Sequence, residues 1–131
     1  MIKILIVEDD NSTRHMLKKL VNDIGYVDIL AGNGEMAWDI ISVNKDIDLI
    51  ITDVVLGGMT GFDLLRKIRT EAKKIRIPVI VCSGKITKDE ILDFLELGID
   101  LFIEKPIEGK KLQSFILKIL EPKYLETKYI M

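Results

Sequence analysis

The sequence predicts an α/β fold in which helices cover both faces of a parallel sheet. Five short apolar runs of strand length alternate with stretches whose apolar residues recur at helical spacing. Strands that alternate with helices in this way form βα units, so the strands run parallel and are buried from both sides. At 131 residues, 48% of them hydrophobic, the chain is long enough for one such domain and too short for two.

The first part of the chain supplies three of the strands. The apolar run Ile2–Val7 predicts the first strand, and the helix that follows it is expected to end near Gly25. Tyr26–Ala31 predicts a short second strand. Asn33 can accept a backbone hydrogen bond with its side chain, so it is expected to cap the second helix. Asp48–Thr52 predicts the third strand.

The second part of the chain repeats the same alternation. Gly61 is expected to open the third helix, and Val79–Cys82 predicts the fourth strand. Thr87 is expected to cap a fourth helix that ends at Gly98. Leu101–Glu104 predicts the fifth strand. Two strands and two further helices therefore follow the third strand.

The last helix is expected to carry a buried stripe at helical spacing, formed by Leu112, Phe115, Ile116 and Ile119. Proline lacks the backbone N–H that a helix interior requires, so Pro122 is expected to end this helix. The domain is therefore predicted to cover residues 1–121. Residues 122–131 are expected to be a C-terminal tail or the beginning of a linker, in a chain that either stands alone or is part of a longer protein.

Composition excludes several classes of function. The net charge of −2 offers no basic patch for nucleic acid. The single cysteine, Cys82, cannot form a disulfide within the chain, which favours a reducing compartment. Three acids follow the first apolar run by position 10, unlike a signal peptide, and no apolar run approaches the roughly 18 residues of a membrane span. We therefore expect a soluble, cytoplasmic protein that binds neither nucleic acid nor membrane.

Polar residues directly follow four of the predicted strands. Glu8 and Asp9 follow the first strand, Asp53 the third, Ser83 the fourth and Lys105 the fifth. The carboxyl ends of parallel strands meet at one edge of a sheet, where such folds place their binding sites. Clustered carboxylates, a hydroxyl and an ammonium group suit Mg²⁺ and a phosphoryl group, because phosphoryl transfer requires mainly positioning and charge neutralisation.

Four segments resemble the response-regulator receiver (CheY-like) domain of two-component signalling. They are ILIVEDD at 4–10, LIITDVVLGGMTG at 49–61, VIVCSG at 79–84 and LFIEKP at 101–106. Each motif alone is common, but all four in this order and spacing are specific, and the resemblance extends over residues 2–121. It implies a flavodoxin-like (βα)5 fold, with a five-stranded parallel sheet in the order 2-1-3-4-5.

The resemblance implies a role for each of these residues. Asp53 matches the phosphorylated aspartate. Mg²⁺, or Mn²⁺, would be held by three carboxylates and a backbone carbonyl, those of Glu8, Asp9, Asp53 and Val55. The Ser83 hydroxyl and the Lys105 ammonium would bind the phosphoryl group. Glu8 replaces the commoner aspartate, and its longer side chain is expected to reach the metal through water.

Further roles concern switching and the lifetime of the phosphorylated state. Phe102 matches the aromatic residue that moves with Ser83, and Pro106 matches a proline whose preceding peptide bond is usually cis. Val55 and Lys85 match the positions that flank the approach of water. A valine side chain cannot orient water and a lysine can shield the phosphoryl group, so slow dephosphorylation is expected.

Three features depart from the usual pattern or add to it. Gly57-Gly58 replaces a proline-containing turn, so a looser loop after Asp53 is expected. Asp10 is a third acid, expected to face solvent or to cap the first helix. The fourth helix region carries six bulky apolar residues, which predict either an exposed interaction patch or a thicker core: Ile86, Ile91, Leu92, Phe94, Leu95 and Leu97.

These observations predict a phosphoacceptor switch. A histidine kinase, a phosphotransfer protein or a small donor would phosphorylate Asp53, and the face of helix 4, strand 5 and helix 5 would then select a protein partner or a second copy. The domain would assist only its own phosphorylation and dephosphorylation. The alternatives are a receiver-like scaffold without phosphorylation and an aspartyl-phosphate-forming hydrolase, although the hydrolase would need D-x-D after the first strand.

Overall fold

The structure, a computed structural model, describes residues 1–72 and 77–130, with side chains described up to residue 121. The strands are β1 (Lys3–Val7), β2 (Val27–Ala31), β3 (Leu49–Asp53), β4 (Val79–Ser83) and β5 (Leu101–Glu104). The helices are α1 (Asn11–Asp23), α2 (Gly34–Val43), α3 (Gly61–Thr70), α4 (Lys88–Glu96) and α5 (Gly109–Ile130). The described part of the chain alternates strand and helix as predicted.

The strands form one parallel sheet in the order β2-β1-β3-β4-β5. Neighbouring residues of a strand face opposite sides of a sheet. In β1, Leu5 and Val7 face a hydrophobic cluster shared with α2, α3 and α4, whereas Ile4 and Ile6 face a second cluster shared with α1 and α5. The predicted fold class, strand order and helical cover of both faces are therefore confirmed.

Several helix ends lie where the sequence predicts them. The side chains of Asp10, Asn33 and Thr87 accept backbone hydrogen bonds at the starts of α1, α2 and α4. Gly25 and Gly98 follow the C-caps of α1 and α4 with φ values of 88° and 74°, a conformation that favours glycine. Asp10 thus has the capping role that was one of its two expected roles.

The prediction that Pro122 ends the last helix is wrong, because α5 continues to Ile130. Proline removes one hydrogen-bond donor but keeps φ in the helical range, so a long helix can absorb its cost of about 3 kcal/mol. The buried residues of α5 are Leu112, Ile116 and Leu120, whereas Phe115 is only half-buried. None of the described helices combines the length and apolar composition that a bilayer crossing requires.

Arg69 connects the end of α3 to the segment after α4. Arg69 is only 9% exposed, and its Nε donates to the Leu97 carbonyl at 2.8 Å. The two terminal nitrogens donate to the carbonyls of Gly98 and Ile77 at 3.0 and 2.8 Å. Burial lowers the pKa of the guanidinium, and the charge of Asp100 opposes that shift. Arg69 therefore satisfies two carbonyls at the C-terminal end of α4, where helical partners are lacking, and a third carbonyl just before β4.

Candidate functional site

The polar residues at the strand ends lie together at the carboxyl edge of the sheet. Asp53 ends β3 and Ser83 ends β4, while Glu8 and Lys105 directly follow β1 and β5. The Lys105 Nζ lies 2.7 Å from Asp53 Oδ2 and 2.9 Å from Glu8 Oε1. These groups are separated in sequence by 52 and 97 residues. The parallel sheet brings them together because its strands end at the same edge.

Three carboxylates at this edge form a group that fits a divalent cation. Glu8, Asp9 and Asp53 each offer one oxygen, and these oxygens lie within 4.8 Å of one another. Asp9 is exposed, whereas Glu8 is 1% and Asp53 8% exposed. The Val55 backbone N–H donates to Asp53 Oδ1 at 3.3 Å, which places the Val55 backbone next to this group. Such a set of hard oxygen donors suits Mg²⁺ or Mn²⁺.

The charged groups at this edge shift one another's pKa values. Burial raises the pKa of Glu8, and repulsion by Asp53 adds to the rise, although the hydrogen bond from Lys105 opposes it. Burial alone would lower the pKa of Lys105, but its hydrogen bonds to Asp53 and Glu8 raise the pKa above its ordinary value. Lys105 is therefore a fixed cation whose single positive charge is shared by both buried carboxylates.

The predicted switch residues lie on the neighbouring strands β4 and β5. Ser83 is buried, and its hydroxyl donates to the Lys85 carbonyl at 3.2 Å. Lys85 itself is exposed. Phe102 is half-buried on β5 and packs against the larger hydrophobic cluster. The peptide bond between Lys105 and Pro106 is cis.

The loop between β3 and α3, which was expected to be looser, makes close contacts on two sides. A Cβ on Gly61 would lie 2.1 Å from the Asp53 carbonyl oxygen, so this close approach requires glycine. Gly61 also donates its backbone N–H to Val54 at 2.9 Å. On the other side, Glu35 accepts a hydrogen bond from the Met59 backbone. The loop is thus attached both to the sheet and to α2.

Arg14 is a residue near the site for which the sequence offered no signal. Its guanidinium donates to the Glu8 backbone carbonyl at 2.9 Å and also bonds the Asn11 side chain. It therefore helps to fix the segment that carries Glu8 and Asp9. An arginine in the first turns of a helix is common on protein surfaces, so only the folded structure identifies this contact.

Cys82 packs in the core beside the site. It is buried beside Asp53 in the sheet register, and burial raises the pKa of its thiol to about 12. The thiol therefore stays protonated at neutral pH and is not a nucleophile for this site. His15 is exposed on α1.

Comparisons with known proteins agree with this geometry. A family model described as the response regulator receiver domain matches residues 4–117. A "Chemotaxis protein CheY homolog" of Campylobacter jejuni is 31% identical over 120 residues, covering 91% of this chain and 92% of that protein. The phosphodiesterase regA of Dictyostelium discoideum is 34% identical over 122 residues, which are 92% of this chain and 15% of that protein. The solved signal receiver domain of a histidine kinase from Syntrophus aciditrophicus has a TM-score of 0.83 and 32% identity, covering 93% of this chain and 92% of that chain.

Proposed function

This chain belongs to the response-regulator receiver domain family of two-component signalling, and on that premise we propose that Asp53 accepts a phosphoryl group. The observation that carries the proposal is the contact of the Lys105 ammonium with both Asp53 and Glu8, beside a third carboxylate from Asp9. Acidic residues that merely cluster on a surface stay solvated, whereas here a half-buried lysine contacts two buried carboxylates. An arrangement of this kind suits an anionic substrate that reacts with a carboxylate.

The proposed reaction is a nucleophilic displacement at phosphorus. A carboxylate oxygen of Asp53 forms a bond to phosphorus as the bond from phosphorus to the donor breaks. The leaving histidine nitrogen, or the acetate of a small donor such as acetyl phosphate, keeps the electron pair of the broken bond. Lys105 then pairs with a phosphoryl oxygen in place of Asp53 Oδ2, and the Ser83 hydroxyl donates to another.

Mg²⁺, when held by Glu8, Asp9, Asp53 and the Val55 carbonyl, would neutralise the negative charge shared by the nucleophile and the donor. Without such a cation, an anionic donor would approach three carboxylates balanced by a single Lys105. Because Lys105 contacts both Glu8 and Asp53, it offsets part of the repulsion between these two carboxylates. The domain acts only on itself in this proposal and is a signalling switch, not an enzyme with external turnover.

Intact-mass spectrometry after incubation with acetyl phosphate and Mg²⁺ tests this proposal. We expect a gain of one phosphoryl group in the wild type and none in Asp53→Asn. Labelling that survives the substitution would contradict the assignment of Asp53. A wild type that is never labelled would favour a scaffold without phosphorylation, and turnover of a small phosphomonoester would favour a hydrolase.

Switching would follow from the new charge on Asp53. The phosphoryl group would draw the Ser83 hydroxyl away from the Lys85 carbonyl, and Phe102 would move into the space that is vacated. The face formed by α4, β5 and α5 would change shape and bind a downstream protein or a second copy. The donor would be a histidine kinase or a phosphotransfer protein, and no nucleic acid or membrane would be bound by this domain.

The exposed apolar residues of α4 support an output role for this face. Leu92 and Leu95 are 57% and 54% exposed, whereas Phe94 is 1% exposed. Phe94 therefore belongs to the core, whereas the two leucines are exposed on α4, and the interaction patch stays a prediction. Phe94→Asp would unfold the core and is not a useful probe of this face.

We expect a beryllofluoride mimic of phosphorylation to promote self-association or partner binding that depends on this patch. Leu92→Asp together with Leu95→Asp should abolish the response, because charged side chains oppose apolar contact. Val43→Asp, at an exposed apolar residue of α2, is the matched control. Light scattering measures the association, and an equal loss in the control would rule out a specific role for α4.

The phosphorylated state is expected to be long-lived. The Val55 side chain is 69% exposed beside Asp53 and cannot hydrogen-bond an attacking water. Lys85 is exposed and can pair with the phosphoryl oxygens. Val55→Asn should therefore lose its phosphoryl group faster than the wild type, whereas Val43→Asn should not. Equal decay rates of wild type and Val55→Asn, followed by mass spectrometry, would refute this role of Val55.

We also propose that the protein is cytoplasmic and that its receiver domain covers residues 1–121. The single, buried thiol of Cys82 fits a reducing compartment. The family match to residues 4–117 is compatible with a domain that includes the sheet and the first part of α5. Residues 122–131 would then be a tail or the start of a linker, continuing α5 as a helix as far as Ile130.

A further inference from the structure

We propose that Glu35, on α2, is a positioning residue for the metal site, a role that rests on the proposed function. Its carboxylate Oε1 accepts a hydrogen bond from the Met59 backbone N–H at 2.9 Å. Met59 belongs to the β3–α3 loop, which also carries the Val55 carbonyl proposed as a metal ligand. The contact joins elements 24 residues apart in sequence and thereby ties the loop to α2.

Two glycines make this contact sterically possible. Gly58 has a φ of 77°, and a Cβ at this position would lie 2.7 Å from Glu35 Oε1. Gly34 begins α2, and a Cβ there would lie 2.8 Å from both the carbonyl oxygen and the Cβ of Met59. A side chain at position 34 would therefore push the Met59 backbone away from α2. A Cβ at position 58 would instead displace the Glu35 carboxylate from its place beside the loop. Gly58 thus leaves room for the Glu35 carboxylate, in addition to giving the turn its conformational freedom.

The loop is attached at two places, and the proposed metal ligand lies between them. At the sheet, Val54 donates to the Cys82 carbonyl at 3.3 Å and accepts from Gly61 at 2.9 Å. At α2, the attachment is the hydrogen bond from Met59 to Glu35. Val55 follows the first attachment and precedes the second, so its carbonyl direction depends on both. Loss of the second attachment would leave the Val55 carbonyl positioned from the sheet side alone.

Glu35 also lies in the first turn of α2, where a negative charge is favoured by the helix dipole. That effect alone would stabilise α2 without any influence on metal binding. Glutamine separates the two contributions, because it keeps an acceptor oxygen for the Met59 N–H and removes the charge. Asp39, an exposed acid further along α2, provides a control with the same loss of charge.

The test measures Mg²⁺ affinity by calorimetry and amide hydrogen exchange at Met59 in metal-free protein. We expect Glu35→Ala to lose protection at Met59 and to bind Mg²⁺ about tenfold more weakly, as outer residues of metal sites typically do when substituted. Glu35→Gln should recover most of both losses, and Asp39→Ala should cause neither. Because Glu35 is exposed, these variants are expected to fold, which thermal unfolding will verify.

A double-substitution cycle with Gly58→Ala adds a second readout. The added Cβ meets the Glu35 carboxylate in the wild type but not in the Glu35→Ala background, so its effect on Mg²⁺ affinity should be smaller there. Equal Mg²⁺ affinity in Glu35→Ala and wild type would overturn the inference while leaving the proposed function intact. A Gln variant as impaired as the Ala variant would also overturn it. Absence of Mg²⁺ binding in the wild type would overturn both.

Discussion

Replacing Asp9 with alanine is expected to weaken Mg²⁺ binding by roughly 10- to 100-fold, because the site loses one of its three carboxylates. Phosphorylation by acetyl phosphate should slow by a similar factor, since fewer charges on Asp53 and the donor would be neutralised. Asp9 is the exposed member of the group, so its removal leaves the buried contacts of Lys105 unchanged. Calorimetry is the preferred measurement because it reports metal binding directly, whereas Trp38 lies on α2 beside Lys67 and is not one of the proposed ligands.

The neighbouring acid supplies the control. Asp10→Asn removes the same charge one residue away and keeps a side-chain oxygen that can cap α1. If the effect of Asp9 depended only on overall negative charge, the two variants would bind Mg²⁺ equally. Unchanged Mg²⁺ affinity in Asp9→Ala, or an equal loss in Asp10→Asn, would contradict the assignment of Asp9 as a metal ligand.

Replacing Lys105 with methionine is expected to destabilise the metal-free protein by about 2 kcal/mol, and to destabilise it much less in Mg²⁺. The substitution leaves Glu8 and Asp53 buried side by side without the ammonium that now contacts both. Breaking a fully buried ion pair costs about 3–5 kcal/mol, and the 25% exposure of the Lys105 side chain reduces that cost. A divalent cation would restore the neutralisation, whereas phosphorylation should remain slow.

Urea unfolding with chelator and with excess Mg²⁺ measures this difference. Lys110→Met, at an exposed lysine on α5, is the control and should change stability little under either condition. If Lys105→Met lost the same free energy of unfolding with and without Mg²⁺, the metal would not be offsetting the charges of Glu8 and Asp53. That result would contradict the assignment of these two carboxylates as metal ligands.

Much of the site could be predicted from the sequence because it follows from strand direction alone. Once the apolar runs are assigned to parallel strands, the residues after each run must meet at one edge. This inference predicts that Lys105 lies near Glu8 and Asp53, although 97 and 52 residues separate them in sequence. It required no knowledge of side-chain packing, only that the strands are parallel and adjacent.

The contacts that hold the site could not be predicted in this way. The bond from Met59 to Glu35 and the bonds from Arg69 to the segment after α4 depend on how neighbouring helices and loops approach one another. No local pattern distinguishes Glu35 from other acids in a first helical turn. The prediction for Pro122 failed because it assumed that a proline always ends a helix. A proline inside a helix costs about 3 kcal/mol, which a long helix can tolerate.

The contact at Gly58 shows the same limit. Glycine adds conformational freedom to an isolated chain, but Gly58 also lies so close to Glu35 that an added Cβ would meet its carboxylate. Glu35 lies 23 positions earlier, and only the folded structure brings the two residues together. The same holds for Gly61, which lies against the Asp53 carbonyl. The looser loop stays a prediction.

The most direct test of the central claim is chemical trapping of the phosphorylated residue. Borohydride reduces an acyl phosphate to an alcohol, so a phosphorylated aspartate becomes homoserine and can be located by peptide mapping. After treatment with acetyl phosphate and Mg²⁺, we expect homoserine at position 53 and at no other acid, with none formed when Mg²⁺ is chelated. Homoserine at Asp9 or Asp10, or a stable phosphoryl group on His15 or Ser83, would contradict phosphorylation of Asp53.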